Sequence, residues 1–258
     1  MDSLIALEGA FLIERGASVG LAFEALYCVP AREAWARGLI ERASGAPDAD
    51  GAAASTALTP TVLPEARISE IAGYRFHRGA YALARRPETL EPIDVMPAPS
   101  GPSTLLVLPE IGDPENLGAS FRNAAALGCS AILLGPAGPD PYSRRALRVS
   151  MGATLGLPWA RLRGPEAMEE LSERGFCAAA CVLDPGARDL REWRPPPRLA
   201  LVLGNEAFGL SEPWLEACRE RVTLKMRGGA DSLNVATAGA IFLYALAEGK
   251  EAPDAHAL

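Results

Sequence analysis

Lysine is nearly missing from this chain: of 258 residues only Lys225 and Lys250 are lysine, so almost all of the 25 basic groups are arginine. That bias suits bidentate contacts to phosphate, and a GC-rich coding sequence would produce it equally well. Histidine is as scarce, with only His77 and His256. Neither lies near a serine or cysteine elbow, and no G-x-S-x-G stretch is present, which argues against a hydrolase. No G-x-G-x-x-G follows the first strand expected in the C-terminal half, which argues against a dinucleotide-dependent oxidoreductase. No apolar run approaches the roughly 20 residues of a membrane span. Met1 to Phe11 carries Asp2 and Glu8 without a basic leader. A soluble, intracellular, cytoplasmic protein with no membrane partner is therefore expected.

Positive charge is also short. The net charge of −7 excludes a generic nucleic-acid binder, because phosphate attraction supplies most non-specific affinity. Any RNA contact must come from local clusters of arginine. The five cysteines, Cys28, Cys129, Cys177, Cys181 and Cys218, are odd in number and lack framework spacing. Reduced thiols are expected. Cys177 and Cys181 sit in an apolar stretch with no histidine nearby, so they read as small core residues, and no metal is expected.

What the chain does have is apolar substance, 49% of its residues, enough for a sizeable core. One break stands out at 91–102, where four prolines and a glycine cannot continue a helix or a central strand. It is read as an interdomain linker between a small α/β domain at 1–90 and a larger domain at 103–258. Ser44 to Ser55, rich in Ala, Gly and Asp, reads as a mobile loop. In the first domain, Phe11 to Ile13 reads as a strand, Val19 to Tyr27 as helical, Ile68 to Gly73 as a short helix or turn, and the segment from Phe76 to Leu83 as holding a strand. Beyond the linker, strands are expected at 104–108, 131–134, 176–183, 199–203 and 221–225. They alternate with helices at 117–127, 142–151, 166–174 and 233–247. That alternation indicates an α/β domain with a mainly parallel sheet.

Three clusters in the second domain carry chemistry. The first runs from Asp113 to Gly128. Asn116 and Gly118 stand at a helix entrance, and Arg122 lies one turn beyond Gly118 on the same face. Free backbone N–H groups and a guanidinium fork together suit a phosphate or a developing oxyanion; an ordinary capped helix with a solvent-facing arginine fits the same pattern. The second runs from Leu201 to Leu210, where an apolar strand ends in Gly204, followed by Asn205, Glu206 and Gly209. Ligands of open α/β sheets bind beyond the carboxyl ends of strands, and Glu206 would call for a partner such as Arg122 if buried. The third runs from Leu224 to Ala240: a strand, a Gly-Gly loop, and a helix capped by Ser232 or Asp231. The small face of that helix, Ala236, Ala238, Gly239 and Ala240, permits close packing.

In this order the three clusters resemble the signature motifs of the SpoU (TrmH-like) group of SPOUT RNA methyltransferases. Arg148 to Ala153 resembles the stretch that follows the first motif, and the N-terminal part, with Phe76 to Gly79, resembles the substrate-recognition domain often fused to it. The resemblance implies an α/β fold: a C-terminal trefoil-knotted domain with a mainly parallel sheet, plus a small N-terminal α/β substrate-binding domain. It implies a homodimer packed through the knot region. S-adenosylmethionine is the implied cofactor, held at Leu203, Gly204, Asn205, Gly209, Leu224, Met226 and Leu233. The implied activity is methyl transfer to a ribose 2′-hydroxyl of structured RNA, ribosomal RNA before transfer RNA, with Arg122 as key catalytic residue and Asn116, Glu206, Ser232 and Asn234 around it. A non-catalytic dimeric RNA-binding protein is the rival. Expected RNA contacts are Arg144, Arg145 and Arg148, with Arg161 and Arg163 nearby, and Arg75 and Arg78 in the first domain. Two positions depart from the family pattern: Asn123 stands where threonine or serine is usual, and Lys225 where proline is common.

Overall fold

The computed structural model describes residues 3–44, 58–226 and 232–247. The Gly228–Gly229 loop, Asp231 and, Ser44 apart, the expected loop from Ser44 to Ser55 lie outside the described residues. In chain order the elements are β1 (Leu4–Glu8), α1 (Ala10–Ser18), β2 (Phe23–Cys28), α2 (Glu33–Ser44), β3 (Thr61–Val62), α3 (Glu65–Ala72) and β4 (Ala80–Arg85). Then come α4 (Pro92–Val95), β5 (Ser103–Leu108), α5 (Pro114–Ala126), β6 (Ala131–Leu134), α6 (Arg144–Val149) and α7 (Ala153–Gly156). The chain closes with β7 (Trp159–Arg161), α8 (Ala167–Glu173), β8 (Cys177–Cys181), β9 (Arg188–Asp189), β10 (Arg198–Leu203), α9 (Glu212–Glu216), β11 (Glu220–Thr223) and α10 (Val235–Ala247). None of the described helices is long and apolar enough to cross a membrane.

The chain divides into two units: 1–88 with 141–156, and 89–140 with 157–258. In the first, a four-stranded sheet runs in the order β1-β4-β2-β3. β4 pairs antiparallel with both β1 and β2, and β3 joins β2 in parallel. Alternation along β1 sends Ile5 and Leu7 into one core with Leu12, Ile13, Leu26 and Leu39, while Ala6 faces a smaller cluster around Ile68, Phe76 and Tyr81. Two expectations reverse here. Phe11 to Ile13 belongs to helix α1, with Leu12, Ile13 and Gly16 buried at helical spacing. The segment read as helical at Val19 to Tyr27 contains strand β2, whose burial alternates from Leu26 to Cys28. The short helix at Ile68 is α3, ended by Gly73 in the left-handed region.

The second unit holds a seven-stranded parallel sheet in the order β7-β6-β5-β10-β8-β11-β9. β5 and β10 lie at its centre and are buried at every position, as strands covered on both faces must be. Each fully buried leucine or valine there stabilises the fold by roughly 1.5–3 kcal/mol.

The boundaries differ from the sequence expectation in two ways. The proline-rich stretch at 91–102 is built into the second unit: it forms α4 and buries Val95 and Met96 in that core. Its carbonyls have no strand to pair with, and the Arg198 guanidinium takes three of them, at Ala98 (2.8 Å), Gly101 (3.3 Å) and Pro97 (3.3 Å). Residues 141–156 join the first unit, where Leu147 is buried with Ile5 and Leu7. Arg144 fixes them further. Its Nε donates to the buried Glu8 carboxylate (2.5 Å), its Nη1 donates to the Ala72 carbonyl (3.2 Å), and its guanidinium covers the Tyr74 ring at 4.1 Å. Removing Arg144 strands a carboxylate that is only 3% exposed. Since the arginine itself is part-exposed, Arg144→Ala should cost about 2–3 kcal/mol, below the range for a fully buried pair. A denaturant midpoint shift of that size checks it, and an unchanged midpoint contradicts it.

Candidate active site

Parallel sheets place ligand sites beyond the carboxyl ends of their strands, and a cavity of about 470 Å³ lies there in the second unit. It is walled by the ends of β8 and β10, the segment after β11, and the first turns of α10. Every residue expected to hold a cofactor lines it: Leu203, Gly204, Asn205, Gly209, Leu224, Met226 and Leu233. Of the five expected catalytic residues, Glu206 and Ser232 also line it.

The loop after β10 is tightly determined. Asn205 and Gly209 exchange backbone hydrogen bonds of 2.8 and 3.0 Å, and the Asn205 side-chain oxygen accepts the N–H groups of Ala207 (2.8 Å) and Phe208 (3.3 Å). The Asn205 amide donates to the Glu110 carbonyl at 2.9 Å, fastening this loop to the one after β5. Gly209 turns the chain with φ +72°, and a Cβ on Gly204 would lie 2.3 Å from the Gly209 carbonyl carbon. Only glycine fits at 204.

Glu206 sits on this loop, exposed, and reaches back to the first motif. Its carboxylate accepts from the Gly112 and Asp113 N–H groups, both at 3.3 Å, and from the Asn116 amide at 2.9 Å. The Asn116 oxygen in turn accepts from the Asn234 amide at 2.7 Å. The Asn234 oxygen accepts the N–H groups of Ala236 (3.0 Å) and Thr237 (3.2 Å). Asn234 is thus the cap of α10, in place of the expected Ser232 or Asp231, because it directly precedes the first helical residue. One hydrogen-bonded chain, Glu206–Asn116–Asn234, joins the three motif loops.

Asp113 caps α5, its carboxylate accepting from Glu115 and Asn116 N–H. The helix therefore starts three residues earlier than expected, with Pro114 at its first position. Arg122 is exposed on α5 and pairs with no described residue, so it is not the partner of Glu206 that the sequence suggested. Asn123 faces inward and donates to the Ala236 carbonyl (2.9 Å), tying α5 to α10. Gly239, on the small face of α10, lies against Leu203 so closely that a Cβ would meet the leucine methyl at 2.7 Å.

The cavity has walls that motif reading missed: Cys181 at the end of β8 and Val182, Leu183 and Asp184 after it, with Arg221 and Phe242. The available signal was positional, since β8 is a parallel strand and its carboxyl end belongs at the site. Burial pushes the Cys181 thiol well above its ordinary value and the Cys218 thiol up to about 12. Of the two only Cys181 lines the cavity, and a raised thiol there disfavours the reactive thiolate.

The arginines divide. Arg75, Arg78 and Arg163 are exposed and Arg148 is half-buried. Arg144 is held by Glu8. Arg145 is exposed and already has a partner. Arg161 donates to the carbonyls of Gly135 (2.9 Å), Ala137 (3.2 Å) and Pro139 (2.9 Å), pinning the loop after β6. Arg144 and Arg161 are therefore structural arginines rather than free phosphate contacts. For the loop at 204–209, Gly204→Ala should destabilise the fold by about 1–3 kcal/mol through overpacking, read as a lower denaturant midpoint; a neutral substitution would contradict this account of the turn.

Comparison with known proteins agrees with this geometry. The chain is 40% identical over 181 residues to an uncharacterized tRNA/rRNA methyltransferase of Mycobacterium bovis, a match covering 69% of this chain and 62% of that protein. It is 33% identical over 142 residues to the 23S rRNA (guanosine(2553)-2′-O)-methyltransferase RlmP of Bacillus subtilis, covering 55% of this chain and 57% of that one. The chain thus matches less than two thirds of the length of these relatives. The crystal structure of an AdoMet-bound rRNA methyltransferase from Sinorhizobium meliloti shares the fold, with a TM-score of 0.80 and 24% identity over 97% of this chain and 89% of that one. The SpoU rRNA Methylase family model matches residues 103–244, the stretch that contains all three motif loops, and the chain belongs to that family.

Proposed function

We propose that this chain transfers a methyl group from S-adenosylmethionine to a ribose 2′-hydroxyl of structured RNA, with ribosomal RNA preferred over transfer RNA. The observation that carries this reading is the Glu206–Asn116–Asn234 chain, whose Glu206 lines the cavity, with Arg122 exposed on α5 and paired with no described residue. Membership of the SpoU family and the ribose 2′-O activity named for the Bacillus subtilis relative support it.

The cavity fits the cofactor. Its volume lies in the range of small-molecule sites, and Gly204 leaves backbone bare where a Cβ would fill the turn. Leu203, Gly204, Leu224, Met226 and Leu233 would hold the cofactor, with Asn205 and Gly209 shaping the loop around it. The cofactor supplies an electrophilic methyl group on a sulfonium centre.

The protein's task is the nucleophile, because a ribose hydroxyl attacks poorly until its proton departs. Arg122 contacts the target phosphate or hydroxyl and stabilises the emerging oxyanion. A guanidinium has no acceptor, so it acts as cation and donor; as the O–CH3 bond forms and the S–CH3 bond breaks, the cofactor would leave as a neutral thioether and the hydroxyl proton would pass to solvent. Glu206 and Asn116 fix the entrance of the helix that carries Arg122, and Asn234 and Ser232 fix the start of α10. Arg75, Arg78 and Arg148 provide phosphate contacts.

The reading includes the trefoil-knotted backbone of the family and a homodimer. Ile241 and Tyr244 on α10 are 37% and 59% exposed, an apolar face that suits a second copy. Tyr244→Asp should shift the mass by light scattering from dimer to monomer; a mass unchanged by the substitution puts the contact elsewhere.

Arg122→Ala should lower methyl transfer to RNA by at least 100-fold, about 2.7 kcal/mol or more of transition-state stabilisation, with cofactor affinity kept within a few-fold. Labelled methyl transfer and calorimetry measure the two quantities. Full activity in the variant refutes the role of Arg122. Absence of cofactor binding by the unaltered protein would favour a non-catalytic RNA-binding dimer.

A further inference from the structure

Phe208 is 91% exposed, more than any other large apolar side chain among the described residues. An exposed phenyl ring forgoes the burial that ordinarily stabilises it, and this one is not on a slack loop. Asn205 accepts its N–H, Gly209 closes the turn behind it, and the pair of backbone bonds between Asn205 and Gly209 fixes both ends. The chain thus holds the ring out in a determined place. That place is the rim of the cavity, two residues from Glu206 and its chain to Asn116 and Asn234.

The neighbours in the loop decide what the ring suits. Asn205 is polar, Glu206 is charged, and Ala207 and Gly209 are small. A seat for another protein needs a contiguous apolar core with a polar rim, and this loop offers one aromatic face beside a carboxylate. A single flat π-face suits another flat π-face. RNA recognition outside helices uses aromatic side chains in this way, stacking bases that have left the helix. A ribose hydroxyl can be aligned for attack only if its nucleotide is held still, and the base is the large rigid handle on the other side of the glycosidic bond.

We infer that Phe208 is the stacking platform for the base of the nucleotide being methylated. The inference rests on the proposed RNA methyltransferase activity. Phe208 touches the base and positions the sugar; it takes no proton and stabilises no charge. Because every base has a π-face, Phe208 holds the nucleotide without dictating which base it is.

The test uses the full chain and ribosomal RNA extracted from cells lacking this protein. Phe208→Ala, Phe208→Leu, Phe208→Tyr and Phe208→Trp are compared with the unaltered protein for kcat/KM towards that RNA. Cofactor affinity by calorimetry and mass by light scattering are measured on each. Ala and Leu should lose roughly 10- to 100-fold in kcat/KM, and Tyr and Trp should stay within about threefold. Cofactor affinity and mass should not change in any of them. Leu as active as Phe would make the contact merely apolar and overturn the platform, as would an Ala variant with full activity. A parallel fall in cofactor affinity would assign the ring to the cofactor, and a change in mass would assign it to a second copy; either outcome overturns the inference. If the unaltered protein methylates RNA and the variants depart from this pattern, the platform alone is wrong. If the unaltered protein transfers no methyl group to RNA, the proposed function fails and the inference with it.

Discussion

The carboxylate of Glu206 holds together loops that the chain supplies from three distant places. It lies ninety residues from Asn116 and close in sequence to neither of the other motifs, yet it accepts from Gly112, Asp113 and Asn116. Through Asn116 it reaches Asn234, which caps α10. Without such a link each loop would be free to open independently, since loops at the ends of parallel strands have no ladder to constrain them. Hydrogen bonds to a charged acceptor are stronger than neutral ones, by roughly 1.5–3 kcal/mol against about 1. Gly204 serves the same end by letting the Gly209 backbone close over it. These contacts hold the first motif loop against the loop after β10 and the start of α10, both of which wall the cavity.

The electrostatics of this arrangement free a cation. A carboxylate near an arginine in the same motif set invites an ion pair, and the structure does not make one. Glu206 is satisfied by backbone N–H groups and an amide at the start of α5, where the helix dipole favours negative charge. Asp113 adds a second carboxylate at that helix end as its cap. Among the described residues neither acid takes a guanidinium, and Arg122 is exposed and pairs with none of them. In the proposed reaction that exposure is what a phosphate or an oxyanion requires.

The second unit was largely legible because its signals are local. Short apolar runs such as Leu105–Leu108 and Leu199–Leu203 are bounded by turns, and both are strands buried on two faces. The cavity residues after β10, after β11 and at the start of α10 stand in motifs, and the β8 end was missed because Cys181 to Asp184 carries no motif. The first unit was less legible. α1 follows Gly9, which has no side chain to cap it, so nothing marks its start, and its three-residue apolar run fits a strand equally well. β2 alternates only over its last residues. The placement of residues 141–156 was not readable at all, because the partners of Leu147 and Arg144, Ile5, Leu7 and Glu8, are more than 130 residues away. The cap of α10 turned on a difference of two residues between Ser232 and Asn234, which periodicity does not resolve.

The scarcity of positive charge then acquires a physical meaning. Several arginines that composition offers for RNA are consumed by the fold: Arg144 by Glu8, Arg161 by the loop after β6, and Arg198 by the proline-rich segment. In each case a guanidinium satisfies carbonyls or a carboxylate that secondary structure leaves without partners, a task for which its five donors in a fixed fork are suited. With a net charge of −7, the chain cannot rely on diffuse phosphate attraction. Recognition of RNA under the proposed function must therefore come from a few placed groups. A cation on α5 and an aromatic face on the rim of a fixed loop are groups of that kind: neither depends on net charge, and both depend on the loops being held where Glu206 holds them.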